Sequence, residues 1–265
     1  WDESTVTDLM SKNYVARWMG NWFWPENFLK FWFTAFDRTD IMAQTFADNF
    51  FDSTQTGRDL NLNELNPARP TLVLNATIGS RSFDEDKPDR GKRFGSIFTF
   101  TAEDFSAKLR SSIADYEVAR AVMASATFPA AFNYMTLRDF NKANCSDQSN
   151  GCYMHVFDGG NSDNLGLVSL KRVLLAHDAA AIGNSPQAGF QRIVVIFVDA
   201  FRRSRGVDPA SPNPRGFLDY IVDTNFTDAT DSLLEANRER ILQEFFSRSI
   251  ANYEKPDQCE RDNIP

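Results

Sequence analysis

The feature of this sequence that most constrains its fold is a run of strand-forming residues that ends in an aspartate and two glycines. The predicted strand is Tyr153–Phe157, and Asp158, Gly159 and Gly160 follow it. Because glycine has no side chain, this turn allows another backbone or a substrate to approach closely. Open α/β folds keep their sites at the carboxyl edge of the sheet, so the pattern predicts that the Asp158 carboxylate lies at such an edge.

A purely structural role for the same aspartate is the alternative. Aspartate is a preferred N-cap residue, and Asp158 could cap a helix that begins near Leu165. Taken alone, Asp-Gly-Gly favours this structural interpretation over a catalytic one. The choice therefore depends on the rest of the sequence.

Strands and helices are predicted to alternate along the chain. Arg192–Val198 is the strongest strand prediction because it is apolar on both faces. Further strands are predicted over residues 70–77 and 94–100, and helices over residues 103–110, 116–126, 166–181 and 226–253. This order predicts a three-layer α/β/α architecture with a mainly parallel central sheet. No repeat or linker divides the sequence, so we expect one domain over residues 1–265.

Charge and composition exclude several functions. The formal net charge is −8, so the chain lacks the basic excess that binding to nucleic acid requires, and no nucleic-acid partner is expected. No stretch approaches the 18 uninterrupted apolar residues that indicate a transmembrane helix. The acidic residues from Asp84 to Asp89 lack the glycine and the terminal glutamate of a calcium loop. We therefore expect a solvated turn there and no metal.

Residues 14–36 form an unusually aromatic segment, with four of the five tryptophans of the chain. One interpretation is a pair of helices that contributes to the core. The other is an amphipathic lid that also faces a membrane, because tryptophan favours the interface between lipid and water. The membrane contacts would then come from Trp18, Trp22, Trp24 and Trp32.

Two motifs, taken in order, resemble the second part of the catalytic domain of the patatin-like phospholipases. Residues 119–132 contain the pattern Ala-Ser-x-x-x-Pro-x-x-Phe, in which the serine is Ser125 and the proline is Pro129. Val156–Gly160 matches the Asp-Gly-Gly turn of the family, and the Asp-Asn pair that follows it is Asp163-Asn164. The resemblance extends from about Pro70 to Asp199 and implies the patatin-like α/β/α fold.

The resemblance implies that the protein hydrolyses phospholipids or related acyl esters with a Ser-Asp dyad. Asp158 would be the base of this dyad, Gly159 and Gly160 would shape the approach to it, and Asn164 would hold the turn. No metal or organic cofactor is implied. The two histidines, His155 and His177, are not expected to act in catalysis, since the dyad works without histidine.

The serine of the dyad is not found in this sequence. The family carries it in a Gly-x-Ser-x-Gly elbow that precedes the aspartate, and no serine of residues 1–265 lies in that pattern. The glycine-rich oxyanion turn of the family is absent as well. We therefore expect the N-terminal βαβ unit, with its serine, to lie upstream of residue 1. The alternatives are a catalytically inactive lipid-binding or scaffold protein, and an interaction module that binds a protein partner through residues 14–36.

Two cysteines bear on localisation. Cys145 and Cys152 bound a polar loop, and a short disulfide between them would indicate an exported protein. The alternative is two free thiols in a cytoplasmic protein. With the aromatic segment, these residues predict a membrane-associated and exported protein, and the cytoplasmic alternative stays open.

Overall fold

The computed structural model describes residues 3–51, 58–80, 94–129, 131–140, 152–184, 194–198 and 225–246. The chain forms two compact units that divide between Ser162 and Asp163. Each unit has an apolar core of its own. The prediction of one domain over residues 1–265 stays a prediction.

Four helices open the first unit: α1 (Glu3–Ser11), α2 (Tyr14–Trp22), α3 (Pro25–Phe33) and α4 (Arg38–Phe46), which continues into a π-helical turn at Ala47–Phe51. Local sequence explains where they begin. Pro25 is the first residue of α3, where proline loses no intrahelical hydrogen bond. Asp37 caps α4 and forms a capping box with Asp40.

The sheet of this unit has four strands in the order β2-β1-β4-β3. The strands are β1 (Asn75–Ile78), β2 (Ile97–Thr99), β3 (Met135–Arg138) and β4 (Tyr153–Asp158). A 3₁₀ turn at Leu62–Glu64 precedes β1, and β2 and β3 are separated by α5 (Ala102–Asp104), a π-helical turn at Phe105–Leu109, and α6 (Val118–Ser125). The helices predicted over residues 103–110 and 116–126 correspond to these elements.

All three pairings of this sheet are antiparallel, which differs from the mainly parallel sheet that the sequence predicts. The physical reason lies in the connections and in the burial pattern. Parallel neighbours need a long crossover, whereas β3 and β4 are consecutive strands that pair directly. Along β3, Met135 and Leu137 are buried while Thr136 and Arg138 are exposed, as expected for an antiparallel strand with one wet face.

The apolar face of the sheet packs on α6. Ala76, Ile78 and Val156 of the sheet are fully buried and belong to the same cluster as Ala121 and Ala124 of α6. The small side chains of α6 allow its backbone to come close to the strands. A second cluster joins α6 to α2 and α4 through Met123, Trp18 and Ile41. Helix α6 therefore lies between the sheet on one side and helices α2 and α4 on the other.

In the second unit, α8 (Leu167–Asn184) and α9 (Asn225–Phe246) follow the short helix α7 (Gly160–Asp163). The two long helices pack through Leu167, Ile241 and Leu242. The helix predicted over 166–181 is confirmed, and that over 226–253 is confirmed as far as its described residues extend.

The prediction of a strand at Arg192–Val198 is wrong for residues 194–198, which are the part that the structure describes. Residues 194–198 belong to no strand, and Val194, Ile196 and Val198 are exposed. An apolar run indicates a doubly buried strand only where neighbouring strands cover it. Within the described part of the chain, no strand pairs with this run.

Candidate active site

Asp158 is the last residue of β4, a central strand that pairs with β1 on one side and with β3 on the other. Its Cα partner across the pair is Ala76 of β1. The carboxylate is half-buried, and its Oδ1 accepts a hydrogen bond of 2.6 Å from the backbone N–H of Gly160. The chain therefore leaves the strand in a tight turn that is closed by the aspartate side chain itself.

Two main-chain hydrogen bonds bring the motifs of the sequence together. The N–H of Asp158 donates to the carbonyl oxygen of Thr127 at 3.1 Å, and the N–H of Gly159 donates to that of Ser125 at 3.2 Å. Ser125 is the last residue of α6. The Ala-Ser-x-x-x-Pro motif thus supplies two carbonyl groups that fix the backbone of the Asp-Gly-Gly turn.

Burial changes the acidity of Asp158. Loss of hydration raises the pKa of this carboxyl group, and the hydrogen bond from Gly160 opposes the change by stabilising the carboxylate. Among the described residues, no serine hydroxyl makes a hydrogen bond with this carboxylate. A half-buried acid with a raised pKa has the character of a general base that acts nearer to neutral pH than an exposed aspartate does.

Gly159 is required by the close approach of two strands. A Cβ at this position would overlap the carbonyl oxygen of Asn75 and would lie 2.8 Å from its carbonyl carbon. The Asn75 backbone belongs to β1 and has little freedom to move. Gly160 contributes its N–H to the Asp158 carboxylate, a bond that any residue except proline could make.

Thr77 lies in β1 beside the turn, and sequence reasoning missed it. Its side chain is fully buried, and its hydroxyl group is hydrogen-bonded to the carbonyl oxygen of Asp158 and to the hydroxyl of Ser162. A polar residue inside an apolar strand pattern is the sequence signal that could have identified it, since buried hydroxyls need partners.

The side chain of Asp163, and not that of Asp158, caps α8. The two carboxylate oxygens of Asp163 accept hydrogen bonds from the N–H groups of Val168 (3.2 Å) and Ser169 (2.9 Å). Asn164 is exposed in the turn that follows α7. The role of Asn164 in holding the Asp-Gly-Gly turn stays a prediction.

His155 lies away from the Asp158 carboxylate. Its Nδ1 is 3.0 Å from the hydroxyl oxygen of Thr136, and its ring packs near Tyr134, which also contacts Phe157. Burial lowers the pKa of His155, so the ring is neutral at neutral pH. The side chain of His177 lies outside the described residues.

The aromatic segment divides into a buried and an exposed part. Trp18 is buried, and its Nε1 donates to the carbonyl oxygen of Arg38 at 2.7 Å, so the membrane contact predicted for Trp18 is wrong. Trp22 is half-buried and packs edge-on against Trp18 at 4.8 Å. By contrast, Trp24 and Trp32 are 62% and 66% exposed.

A cavity of about 530 Å³ opens where α3 faces the start of α4. We call it the aromatic cavity. Its apolar lining consists of Trp22, Phe23, Phe28, Phe31, Trp32 and Ile41. Its polar lining consists of Asn27, Arg38 and Asn133. None of these residues belongs to the turn that carries Asp158.

Three further expectations concern the disulfide, metal binding and membrane-spanning helices. Cys152 takes part in a disulfide bond, whereas Cys145 and the acidic residues 84–89 lie outside the described residues. Within the described ranges, no cluster of acidic, histidine and cysteine side chains could hold a metal ion. The described helices include none with the length and apolar character needed to span a bilayer.

Comparison with known proteins identifies the family. A search of curated proteins and a search of solved structures each gave no match. A family model described as patatin-like phospholipase matches residues 2–171, which is more than half of the chain and contains both motifs that meet at Asp158. Lipid acyl hydrolysis is the general activity that this match indicates. The chain belongs to the patatin-like phospholipase family.

Proposed function

We propose that the protein is a serine esterase or phospholipase A that hydrolyses lipid acyl esters with a Ser-Asp dyad whose base is Asp158. The observation that carries the proposal is the position of this carboxylate. It is half-buried, has a raised pKa, and lies in a turn whose N–H groups donate two hydrogen bonds to the carbonyl oxygens of Ser125 and Thr127. The serine is proposed to lie N-terminal to residue 1, since residues 1–265 contain no Gly-x-Ser-x-Gly pattern.

The proposed reaction is acyl transfer to the serine, followed by hydrolysis of the acyl-enzyme. In the first step the Asp158 carboxylate accepts the serine proton as the serine oxygen attacks the ester carbonyl, and it gives this proton to the alcohol as the ester bond breaks. In the second step the carboxylate accepts a proton from water, whose oxygen attacks the acyl-enzyme, and this proton returns to the serine oxygen as the fatty acid leaves. No metal or organic cofactor takes part in the proposal.

Asp158→Asn in the full-length protein tests the assignment. Asparagine keeps the oxygen that accepts from the Gly160 N–H but cannot act as a base. We expect kcat/KM for a p-nitrophenyl acyl ester to fall about 10²- to 10⁴-fold. Asp8→Asn, in the exposed surface of α1, is the matched control and should leave the rate unchanged. Turnover of wild-type magnitude by the Asp158 variant would refute the proposal.

The absence of the serine pattern from residues 1–265 also favours a second candidate, a catalytically inactive lipid-binding or scaffold protein. A fluorophosphonate probe separates the two in the full-length protein, because it labels only an activated serine. Labelling supports the hydrolase. Lipid binding without labelling supports the inactive alternative.

We also propose that α3 and the two residues before it contact a membrane surface. Phe23 and Phe33 are each 81% exposed, and with Trp24 and Trp32 they present aromatic side chains that suit the interface of a bilayer. Trp22, being half-buried, would contribute at the edge of this surface. Export of the protein is part of the same proposal, because the disulfide of Cys152 is stable in oxidising compartments.

A further inference from the structure

We propose that Lys12, Arg17 and Asn49 form a binding site, here called the two-cation site, for the phosphate group of a small soluble phosphate monoester. Nζ of Lys12 donates to Oδ1 of Asn49 at 3.3 Å, and Nη1 of Arg17 donates to the same oxygen at 2.9 Å. Two positive charges thus meet at one neutral acceptor. None of the three residues belongs to the Asp158 turn, so binding here does not depend on the proposed hydrolase reaction.

The positive charges of the two-cation site are not balanced by nearby acids. Among the residues that the structure describes, no carboxylate forms an ion pair with Lys12 or Arg17. The acids nearest to the site in the sequence are Asp8 on α1 and Asp48 beside Asn49, and neither pairs with either cation. Two like charges that share one acceptor repel each other, and an anion bound between them would replace this repulsion by two attractions.

Packed elements hold the acceptor of this site in place. Nδ2 of Asn49 donates to the carbonyl oxygen of Thr45 at 2.7 Å, which fixes the amide with its oxygen toward the two cations. Asn49 lies in the middle of the π-helical turn at Ala47–Phe51, and such turns are frequent at functional sites. Tyr14, at the start of α2, packs on Phe50 of the same turn with ring centroids 5.1 Å apart. This preorganisation lowers the entropic cost of binding.

The two cations specify a ligand with more than one charged oxygen. The guanidinium group of Arg17 donates in a planar fork, and the ammonium group of Lys12 is a compact charge with three donors. A phosphate monoester carries a charge of about −2 at neutral pH and three strong acceptor oxygens. One phosphate group can therefore accept from both side chains and balance both charges, whereas a carboxylate balances only one. Arg17 is exposed and Lys12 is half-buried, so the ligand can approach from solvent.

The position of the site favours a soluble phosphate over the phosphate of a lipid head group. Lys12 precedes α2 and Arg17 lies in its first turn, whereas the exposed side chains of Phe23 and Trp24 follow its last residue. A helix of 9 residues is about 13 Å long. The two-cation site and these aromatic side chains thus lie at opposite ends of α2, and a bilayer at the aromatic end would not bring its head groups to the cations by the same contact.

Calorimetric titration of the full-length protein with glucose 6-phosphate tests the proposal without any measurement of esterase activity. We expect saturable binding of one molecule, with a Kd of about 1 mM or below. Glucose lacks the phosphate group and should not bind measurably. Acetate at the same ionic strength carries a single charge and should bind at least about tenfold more weakly. These comparisons use the wild-type protein, so they do not depend on the folding of a variant.

Variants locate the bound phosphate. Arg17→Gln and Lys12→Gln each remove one cation and should weaken binding of glucose 6-phosphate about 10- to 100-fold. Asn49→Asp keeps the shape of the side chain but places a carboxylate between the cations, and this internal anion should weaken binding to a similar extent. Arg69→Gln removes an exposed cation outside the site and is the matched control, which should bind like the wild type. An equal effect of the Arg17 and Arg69 variants would overturn the proposal.

Other results would give the two cations a different role. No binding of glucose 6-phosphate, together with binding to phosphatidate-containing vesicles that Arg17→Gln weakens, would mean that the cations contact lipid head groups. No binding of either would mean that Asn49 and the cations only hold α2 on the π-helical turn. Acetate that binds as tightly as glucose 6-phosphate would mean that the site attracts anions without selecting phosphate. Each of these results overturns the proposal, and none affects the assignment of Asp158.

Discussion

The hydroxyl oxygen of Thr77 lies 2.7 Å from the carbonyl oxygen of Asp158. The same hydroxyl is 2.8 Å from the hydroxyl oxygen of Ser162. The Thr77 hydroxyl donates toward both of these oxygens, and the hydroxyl of Ser162 donates in turn to the carbonyl oxygen of Gly159 at 3.4 Å. This chain of two hydroxyls connects the backbone of the proposed base to α7, and it gives Thr77 a positioning role.

Removal of the Thr77 hydroxyl should change the position of the Asp158 main chain while leaving the Asp158 side chain itself unaltered. Thr77→Val keeps the shape of the side chain but leaves a buried carbonyl and a serine hydroxyl each without one partner. We expect the free energy of unfolding to fall by about 1–3 kcal/mol, measured by urea denaturation. We also expect a lower kcat with little change in KM for a p-nitrophenyl ester.

Activity distinguishes positioning from simple stability. Thr77→Ser also loses stability, through the missing methyl group, but it keeps the hydroxyl and should recover most of kcat. Thr136→Val, on the exposed face of the same sheet, is the control and should keep kcat. If the valine variant has the kcat of the wild type, Thr77 supports the fold alone.

The raised pKa of Asp158 predicts the pH dependence of the reaction. The base acts in its ionised form, so activity is lost as the pH falls through the pKa of the folded protein. Burial raises this pKa above the ordinary value of 3.8, and the acidic limb of the kcat/KM profile should therefore lie above that value. A limb at or below the ordinary value would mean that the carboxylate is better hydrated than the structure indicates.

The same pKa predicts the stability of Asp158→Asn, and the sign follows from linkage. The folded protein binds the Asp158 proton more tightly than the unfolded chain does, so the contribution of this group to stability decreases as the pH rises through its pKa. Above its pKa in the folded protein, the ionised carboxylate is in an unfavourable, partly dehydrated position. The asparagine variant should therefore have a melting temperature at pH 7 that is equal to or above that of the wild type.

Gly159 gives a prediction of stability. In Gly159→Ala the added methyl group would overlap the Asn75 carbonyl, and both backbones would have to shift. We expect a loss of about 1–3 kcal/mol, which is typical of overpacking, in thermal or urea unfolding. Gly20→Ala is the matched control, because nothing lies within 4 Å of a Cβ there and alanine favours the helix. A loss of equal size in both variants would show that the close contact is not the cause.

The membrane proposal predicts opposite effects for exposed and buried tryptophans. Replacing Trp24 and Trp32 together by serine should reduce partitioning into phosphatidylcholine vesicles at least about tenfold, with little change in melting temperature. Trp18→Ser should cost about 3–5 kcal/mol of stability, because Trp18 is a core residue. Unchanged vesicle binding in the double variant would reject α3 as the membrane contact.

The sequence predicted the helix and the strand that carry the two motifs better than it predicted the sheet. Val118–Ser125 and Tyr153–Asp158 were recognisable as a helix and a strand because their periodicity is local. Strand direction depends on which segments pair over long distances, and a short apolar run contains no information about this. The same limit explains residues 194–198, whose apolar side chains are exposed.

The roles of individual side chains were predictable only where spacing fixes them. Asp163 caps α8 from five and six residues away, which is outside the usual spacing of an N-cap residue. Trp18 and Trp24 look alike in the sequence, but Trp18 is buried in a cluster with Ile41 and Met123. Such burial is a property of the assembled helices and not of the segment itself.

The hydrogen bonds that the Asp-Gly-Gly turn donates to Ser125 and Thr127 affect which substitutions the site tolerates. Both use carbonyl groups, so neither depends on the side chain at the accepting position. In a saturation mutagenesis library, Ser125 should accept any residue that preserves the helix end, whereas Gly159 should accept almost none. The geometry of the proposed base is thus encoded mainly in the path of the polypeptide.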